Sequence, residues 1–357
     1  MIFALVVVFL IALSLSFIEE RLSVTDKLIA YLLMGIALIF IAGTRGIYDT
    51  PDSWEYEDMY YAAGSGSILE LANEPTFRYI SITLRGMGFG INALFFVYAS
   101  ISVPLHLASF WKLSRLPILT MVVYLSYYYQ MHDLVQIRSS IASSLFLFAF
   151  YFYANKRKLY ALLFILAGTL FHYSAAAGLL LFLFNDKEWN AWQRWAAYLM
   201  VPIGIVFYYS SIDISYLIPE GLGGDKLEAY RKLRDMGLED EQAGWALKGN
   251  LVIWMNVCLF YCAIIFRNTL QTACKYSFLA IKVLGLAFVC LFFLHNVSAV
   301  LASRLCDYFE VTSIILWTAA VYAFYPVIAG KVIINTVSSI RFVLSMLFYA
   351  MAQLTMK

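Results

Sequence analysis

The chain has 357 residues, of which 62% are hydrophobic and only 13% are charged. No soluble domain of this length has an interior large enough for that much apolar surface, so the composition excludes a water-soluble fold and points to a membrane protein with many helical spans. The formal net charge is +2 and there is no basic tract or nucleic-acid motif, which leaves nucleic acid out as a partner.

A β-barrel would need alternating apolar and polar residues, and runs such as Ala4 to Leu13 do not alternate. The first apolar run, Met1 to Phe17, lacks a basic leading region and a small-residue cleavage pattern, and it reads as a retained span. Glu19-Glu20-Arg21 and Asp26-Lys27 form a short polar loop before a second span, Leu28 to Ala42. Residues 43–90 are the first large polar region, rich in acids and aromatics such as Asp49, Asp52, Trp54, Glu55, Tyr56, Asp58 and Tyr60. A third span, Ile91 to Trp111, ends at Lys112 and Arg115, and a fourth leads to Tyr127-Tyr128-Tyr129.

The stretch from Met131 to Ser140 separates two strongly apolar runs and carries Arg138. A guanidinium there either snorkels to a headgroup or meets an anion through its rigid fork of donors. The fifth span, Ser139 to Ala154, ends at Asn155-Lys156-Arg157-Lys158, with three cations and no acid. That turn is the strongest orientation signal and belongs in the cytoplasm. Counting back, the Glu19–Lys27 loop and Lys112–Arg115 share its side, while the amino terminus, residues 43–90 and the Arg138 turn face outward.

Leu159 to Phe184 is apolar for about 26 residues, with Phe171-His172-Tyr173-Ser174 near its middle. One long helix and two short ones are both open; the preferred reading is a short hairpin whose tip, at His172, faces outward. Asp186–Arg194 is then cytoplasmic. A span from Trp195 to Tyr209 leads to the second large loop, 210–249, which contains Gly221-Leu222-Gly223-Gly224. The charged stretch Asp225 to Glu241 follows, where Lys226, Tyr230, Leu233 and Gly237 share one helical face. Leu251–Phe266 and Tyr276–Leu294 flank an inner turn with Arg267 and Lys275, and His295–Arg304 forms an outer turn. Leu305–Tyr325 returns, Lys331 marks the last inner turn, and the final span includes Arg341. The sum is an all-α, polytopic membrane protein of about twelve spans, with 1–357 as a single membrane domain and 43–90 and 210–249 as its two large outer loops.

The five cysteines, Cys258, Cys262, Cys274, Cys290 and Cys306, are odd in number and form no ligand cluster with histidine. No ligand spacing calls for a metal. No Gly-rich phosphate loop or nucleophile elbow occurs, so nucleotide chemistry and hydrolase triads have no support. Unusual polar groups instead collect near span ends on the outer side: Arg45, Asp52, Glu74, Arg138, His172 and Arg304. Arginines there can clamp a pyrophosphate as charge develops on it. Asp52 or Glu74 can accept a proton from a sugar hydroxyl. The rings of Trp54, Tyr56, Tyr60 and Tyr127-Tyr128-Tyr129 can line a glycan groove, with Trp54, Tyr56 and Tyr128 the leading choices, although aromatics at span ends more often form an interface belt.

These residues form an ordered series that resembles a family. Thr44-Arg45 followed by Asp52-Ser53-x-x-Tyr56-x-x-x-Tyr60 is similar to the Asp-Thr-x-x-Tyr motif of the EpsG/Wzy-type polysaccharide polymerases, with Ser53 where threonine is common. Glu74-Pro75-x-Phe77, Asn92 with Phe95-Phe96, Gln136-Ile137-Arg138 with Ala142, a basic turn, Phe171-His172-x-Ser174 and Arg304 with Tyr308-Phe309 follow in order. The loop 210–249 has no matching motif.

The resemblance implies a glycosyltransferase of O-antigen, capsule or exopolysaccharide assembly in the bacterial inner membrane, with a C-type glycosyltransferase-like fold. It would join repeat units carried on undecaprenyl pyrophosphate at the periplasmic face, with a chain-length regulator as neighbour and no cofactor. Arg138 and Arg304, with Arg45, would hold pyrophosphate. Asp52 or Glu74 would be the base, and His172 would orient an acceptor or phosphate. The competing readings are a transferase using a polyprenyl-phosphate sugar, a modifying acyltransferase, and a lipid-linked oligosaccharide flippase. Charge clustered on one side disfavours the flippase.

Overall fold

A computed structural model describes residues 1–66, 74–210, 212 and 250–355, the last eight of these by their backbone alone. Nearly all of the second outer loop, including the Lys226–Gly237 helical face, lies outside the described residues. All regular structure among the described residues is helical. Six helices are long and apolar enough to cross a membrane: Ile2–Arg21, Val24–Gly43, Ile91–Leu113, Ile137–Ala154, Ser277–Leu294 and Val327–Leu347. Leu251–Ile265 and Arg267–Ala273, bent by 90° at their junction, make up a possible seventh as a pair. The chain is therefore a polytopic helical membrane protein.

Several spans counted in the sequence are divided into shorter helices. Leu119–Tyr129 falls in α6 (Pro117–Val123), which runs into a wide π-helix, Tyr124–Val135. Leu305–Tyr325 is shared by α13 (Ala299–Glu310), α14 (Ser313–Ala319) and a 3-10 turn. The other helices are α1 (Ile2–Ile18), α2 (Val24–Gly43), α3 (Ser53–Ala62), α4 (Pro75–Gly86), α5 (Ile91–Leu113), α7 (Ile137–Ala154) and α8 (Lys158–Phe171). They continue with α9 (Ala191–Tyr209), α10 (Leu251–Ile265), α11 (Arg267–Ala273), α12 (Ser277–Leu294) and α15 (Val327–Thr355).

The chain divides into two compact units, Met1–Leu179 with Trp317–Lys357, and Leu180–Leu316. In the first, α6 and the π-helix are buried on almost every side, as a central element must be. The strongest packing around it joins α7 to α8, α5 to α7, and α2 to α5. The α2–α5 approach depends on small residues: a Cβ added at Gly35 would lie 2.6 Å from Leu107, and one at Gly43 2.4 Å from the Phe96 ring.

The two ends of this unit differ in chemistry. At one end the buried Glu19 carboxylate accepts the backbone N–H groups of Ile118 (2.8 Å) and Leu119 (3.1 Å), capping the start of α6. Lys331 pairs with Glu20 at 3.0 Å, and Lys112 lies over the Tyr151 ring near the end of α7. The sequence assigns all of these turns to a single side. Arg45, Glu74, Arg138 and His172 lie at the other end. The helix break falls at His172, which is extended (φ −155, ψ 120). Beyond it, Tyr173–Leu183 is a 3-10 helix.

In the second unit α12 packs on α13 and on α9, where Gly204 lets the Phe292 ring come close. Glu188 joins Arg194 (3.3 Å) and Arg267 (2.5 Å), and Lys282 Nζ donates to the Asn185 and Lys187 carbonyls. The Asp186–Arg194 and Arg267 turns thus share one end. At the other, His295 stacks on Tyr208, and Asn296 donates to the carbonyls of Phe207 and Ile212.

Candidate functional site

Three helix ends converge at the outer end of the first unit, as the sequence orients it. Glu74 is the extended residue before α4, whose first residue, Pro75, has no N–H to lose. Arg138 lies in the first turn of α7, and His172 directly follows α8. Thr76 ties α4 to α8 by donating to the Leu170 carbonyl at 2.7 Å. Arg138 Nη1 then reaches Glu74 Oε2 at 2.6 Å, and His172 Nδ1 lies 3.0 Å from Glu74 Oε1. The Glu74 side chain is 3% exposed, while those of Arg138 and His172 keep 16% and 13%. The carboxylate is thus the covered base of the cluster, and the cation and imidazole form its open rim.

Burial pushes the Glu74 carboxyl up, but the hydrogen bond from His172 and the charge of Arg138 outweigh it and hold the group at about 2. An acid held that low is a firm anchor and a poor proton acceptor near neutrality. The Arg138 guanidinium also lies 5.5 Å from the centres of the Tyr56 and Phe77 rings, on an apolar floor that includes Phe95, Tyr98 and Ile141. Burial raises the Tyr56 hydroxyl above its ordinary range; Arg138 opposes this, while the nearby charges of Asp52 and Glu74 add to it.

The remaining expected site residues separate into groups. Asp52 is half-buried at the start of α3 and near enough to Tyr56 for their charges to interact. Trp54 is exposed on the same helix. Arg45 is buried with its guanidinium 3.6 Å from the Phe95 ring centre, donating to the Ala42 carbonyl at 2.6 Å and to Ser53 Oγ at 3.3 Å. Asn92 donates to the Gly43 and Arg45 carbonyls, so Arg45 is built into the turn that carries Asp52. Tyr128 is fully buried in the π-helix, with its ring parallel to that of His132 at 6.0 Å. Arg304 lies on α13 of the second unit and is exposed.

Sequence reasoning missed a second polar cluster. Asp133 accepts hydrogen bonds from Ser102, Tyr124 and, at 2.7 Å, Ser140, and His106 Nδ1 lies 4.0 Å away. Every member is buried. The network joins the π-helix to α5 and α7, and so fixes the turn that presents Arg138 five residues later. The sequence signal for it is His132-Asp133, a polar pair standing between two apolar runs. Wide helical turns of this kind occur often at functional sites.

No curated protein and no solved structure matches the chain. The EpsG family matches residues 28–356, nearly its whole length. The helix ends that hold Glu74, Arg138 and His172 lie inside that match, and the chain belongs to the EpsG family, a Wzy-type polymerase-like family.

Proposed function

We propose that this protein is a glycosyltransferase that polymerises oligosaccharide repeat units carried on undecaprenyl pyrophosphate, at the periplasmic face of the bacterial inner membrane. The observation that carries the reading is the Glu74–Arg138–His172 cluster, which sets a guanidinium and an imidazole on a buried carboxylate at the end of the unit opposite its basic turns. Family membership supports a polymerase-type activity. About twelve spans and two periplasmic loops, 43–90 and 210–249, belong to the same proposal, with the basic turns in the cytoplasm.

In this reading a hydroxyl oxygen of the incoming lipid-linked unit bonds to the anomeric carbon of the growing chain. The bond from that carbon to the diphosphate breaks, and the diphosphate leaves on its lipid carrier with the electron pair. Asp52 receives the hydroxyl proton, because Glu74 is held too low to do so well. Arg138 exchanges part of its hold on Glu74 for the diphosphate, while Glu74 keeps the fork aimed. His172 orients the acceptor or a phosphate oxygen. Arg45 shapes the turn beneath Asp52, and Trp54 and Tyr56 contact the glycan. Arg304, on the second unit, carries a diphosphate-binding role.

Purified protein reconstituted with lipid-linked repeat unit should give a ladder of products. A wild-type protein that leaves the single unit unextended, in a preparation where it is folded, would remove the polymerase reading.

A further inference from the structure

The final helix, α15, carries a polar stripe. Lys331, Asn335, Ser338, Arg341 and Ser345 are all buried at helical spacing, whereas Ile340, Val343 and Leu347 on the other face are exposed. Lower in the stripe the partners are protein groups: Lys331 meets Glu20 at 3.0 Å, and Asn335 donates to Ser16 at 2.9 Å. Arg341 differs. It is 1% exposed, and Nε, Nη1 and Nη2 have no hydrogen-bond acceptor among the described residues. Aromatic rings surround it instead, with the guanidinium 5.4 Å from the centre of Trp317, 5.5 Å from Tyr128 and 5.7 Å from Tyr127.

Rings stabilise the charge of a guanidinium but accept none of its directional hydrogen bonds. A buried cation in a membrane span is costly unless an acid or a cavity meets it. The stripe itself holds no acid, and Lys331, which meets Glu20, stands about 15 Å from Arg341 along the helix. Behind Tyr128, His132 also has a ring nitrogen, Nδ1, without a hydrogen-bond partner among the described residues. Two groups able to donate thus flank one tyrosine. Arg341 lies within the candidate span Val327–Leu347.

We propose that Arg341 and its aromatic cage form an anion site for the phosphate or diphosphate of a polyisoprenoid carrier. The proposal rests on the polymerase reading in one respect, the identity of the carrier: such a reaction has two lipid-linked diphosphates to hold. A planar fork with all its donors unused suits a tetrahedral oxyanion bidentately, and a carrier chain brings that oxyanion to a depth that a free ion does not reach.

The test uses the full chain in nanodiscs of neutral lipid, with farnesyl diphosphate and inorganic pyrophosphate as probes, binding read by fluorescence and thermal stability read with and without probe. Farnesyl diphosphate should bind and raise the melting temperature, and Arg341→Gln should weaken binding by about tenfold or more while leaving the probe-free melting temperature equal or higher, because an unmatched buried charge is gone. Equal binding by Arg341→Gln overturns the proposal, as does a lower probe-free melting temperature with unchanged affinity, which marks a structural cation. Should Arg341→Gln not fold, Arg341→Lys decides: it keeps the charge and loses the fork, so wild-type affinity overturns the site. Pyrophosphate binding as tightly as farnesyl diphosphate contradicts the lipid carrier as source. Loss of probe binding by Arg341→Gln alongside a wild-type protein that makes no polymer keeps the site and removes the polymerase reading; full-length polymer from Arg341→Gln with unchanged binding does the reverse.

Discussion

The first unit buries a glutamate at each end, and the two are held differently. Glu19 gives both oxygens to backbone N–H groups at the start of α6. Those donors are fixed in the helix and have nowhere else to go. Glu74 gives its oxygens to Arg138 and His172, side chains on two helix ends that remain partly open. A carboxylate capped by backbone serves the fold. One held by a guanidinium and an imidazole serves whatever those groups can turn toward, because their bonds to it can be exchanged for bonds to a ligand.

The largest expected effect breaks the Glu74 end. Arg138→Ala or His172→Ala should leave membrane-inserted protein at normal levels and reduce the surface glycan to a single repeat, with Arg138→Ala costing about 100-fold or more in polymer formed. Gel profiles of the glycan check this. Arg138→Lys should also fail to make long chains, because a point charge does not replace a fork. Normal chain length in that variant would reduce Arg138 to its charge alone.

Glu19→Gln should do the opposite. Removing the charge-assisted acceptor costs about 1–3 kcal/mol of stability, which lowers the melting temperature of purified protein, while the glycan of the surviving protein keeps its length. A shortened glycan at normal protein level would erase the distinction between the two ends.

Acid sharpens the comparison. The folded-state pKa of Glu74 lies below its ordinary value of 4.5, at about 2. Its contribution to stability is therefore complete above about pH 4.5 and is lost as pH falls toward 2. The melting temperatures of wild type and Glu74→Gln should differ most at neutral pH and converge in acid. A difference that grows on acidification would contradict the ion-paired state.

The smallest effect belongs to the exposed control in the second unit. Glu188→Gln removes an acid shared by Arg194 and Arg267 in a solvent-facing turn. It should change stability by no more than about 0.5 kcal/mol and leave chain length alone.

The sequence carried the helical membrane class and the residues of the Glu74 cluster, because charge is conspicuous among apolar runs and the motifs keep their order. It also grouped the turns at each end of the first unit, where Glu20 meets Lys331 and Arg138 meets Glu74. What it could not carry was partnership. Arg45 and Arg138 look alike as letters, yet one is built into a turn and the other rests on a carboxylate. Asp133 is invisible as a network centre until α5 and α7 bring Ser102 and Ser140 to it. Arg341 reads as one more helix cation until packing leaves it among rings. Apolarity alone does not reveal where a helix widens or breaks, as it does at Tyr124 and His172.

The most direct test is a chain-extension assay on reconstituted protein with lipid-linked repeat unit, comparing wild type with Arg138→Ala at matched amounts of folded protein. A ladder from wild type and only the unextended unit from the variant is the predicted result. Ladders of equal length from both would contradict the role given to the Glu74–Arg138–His172 cluster.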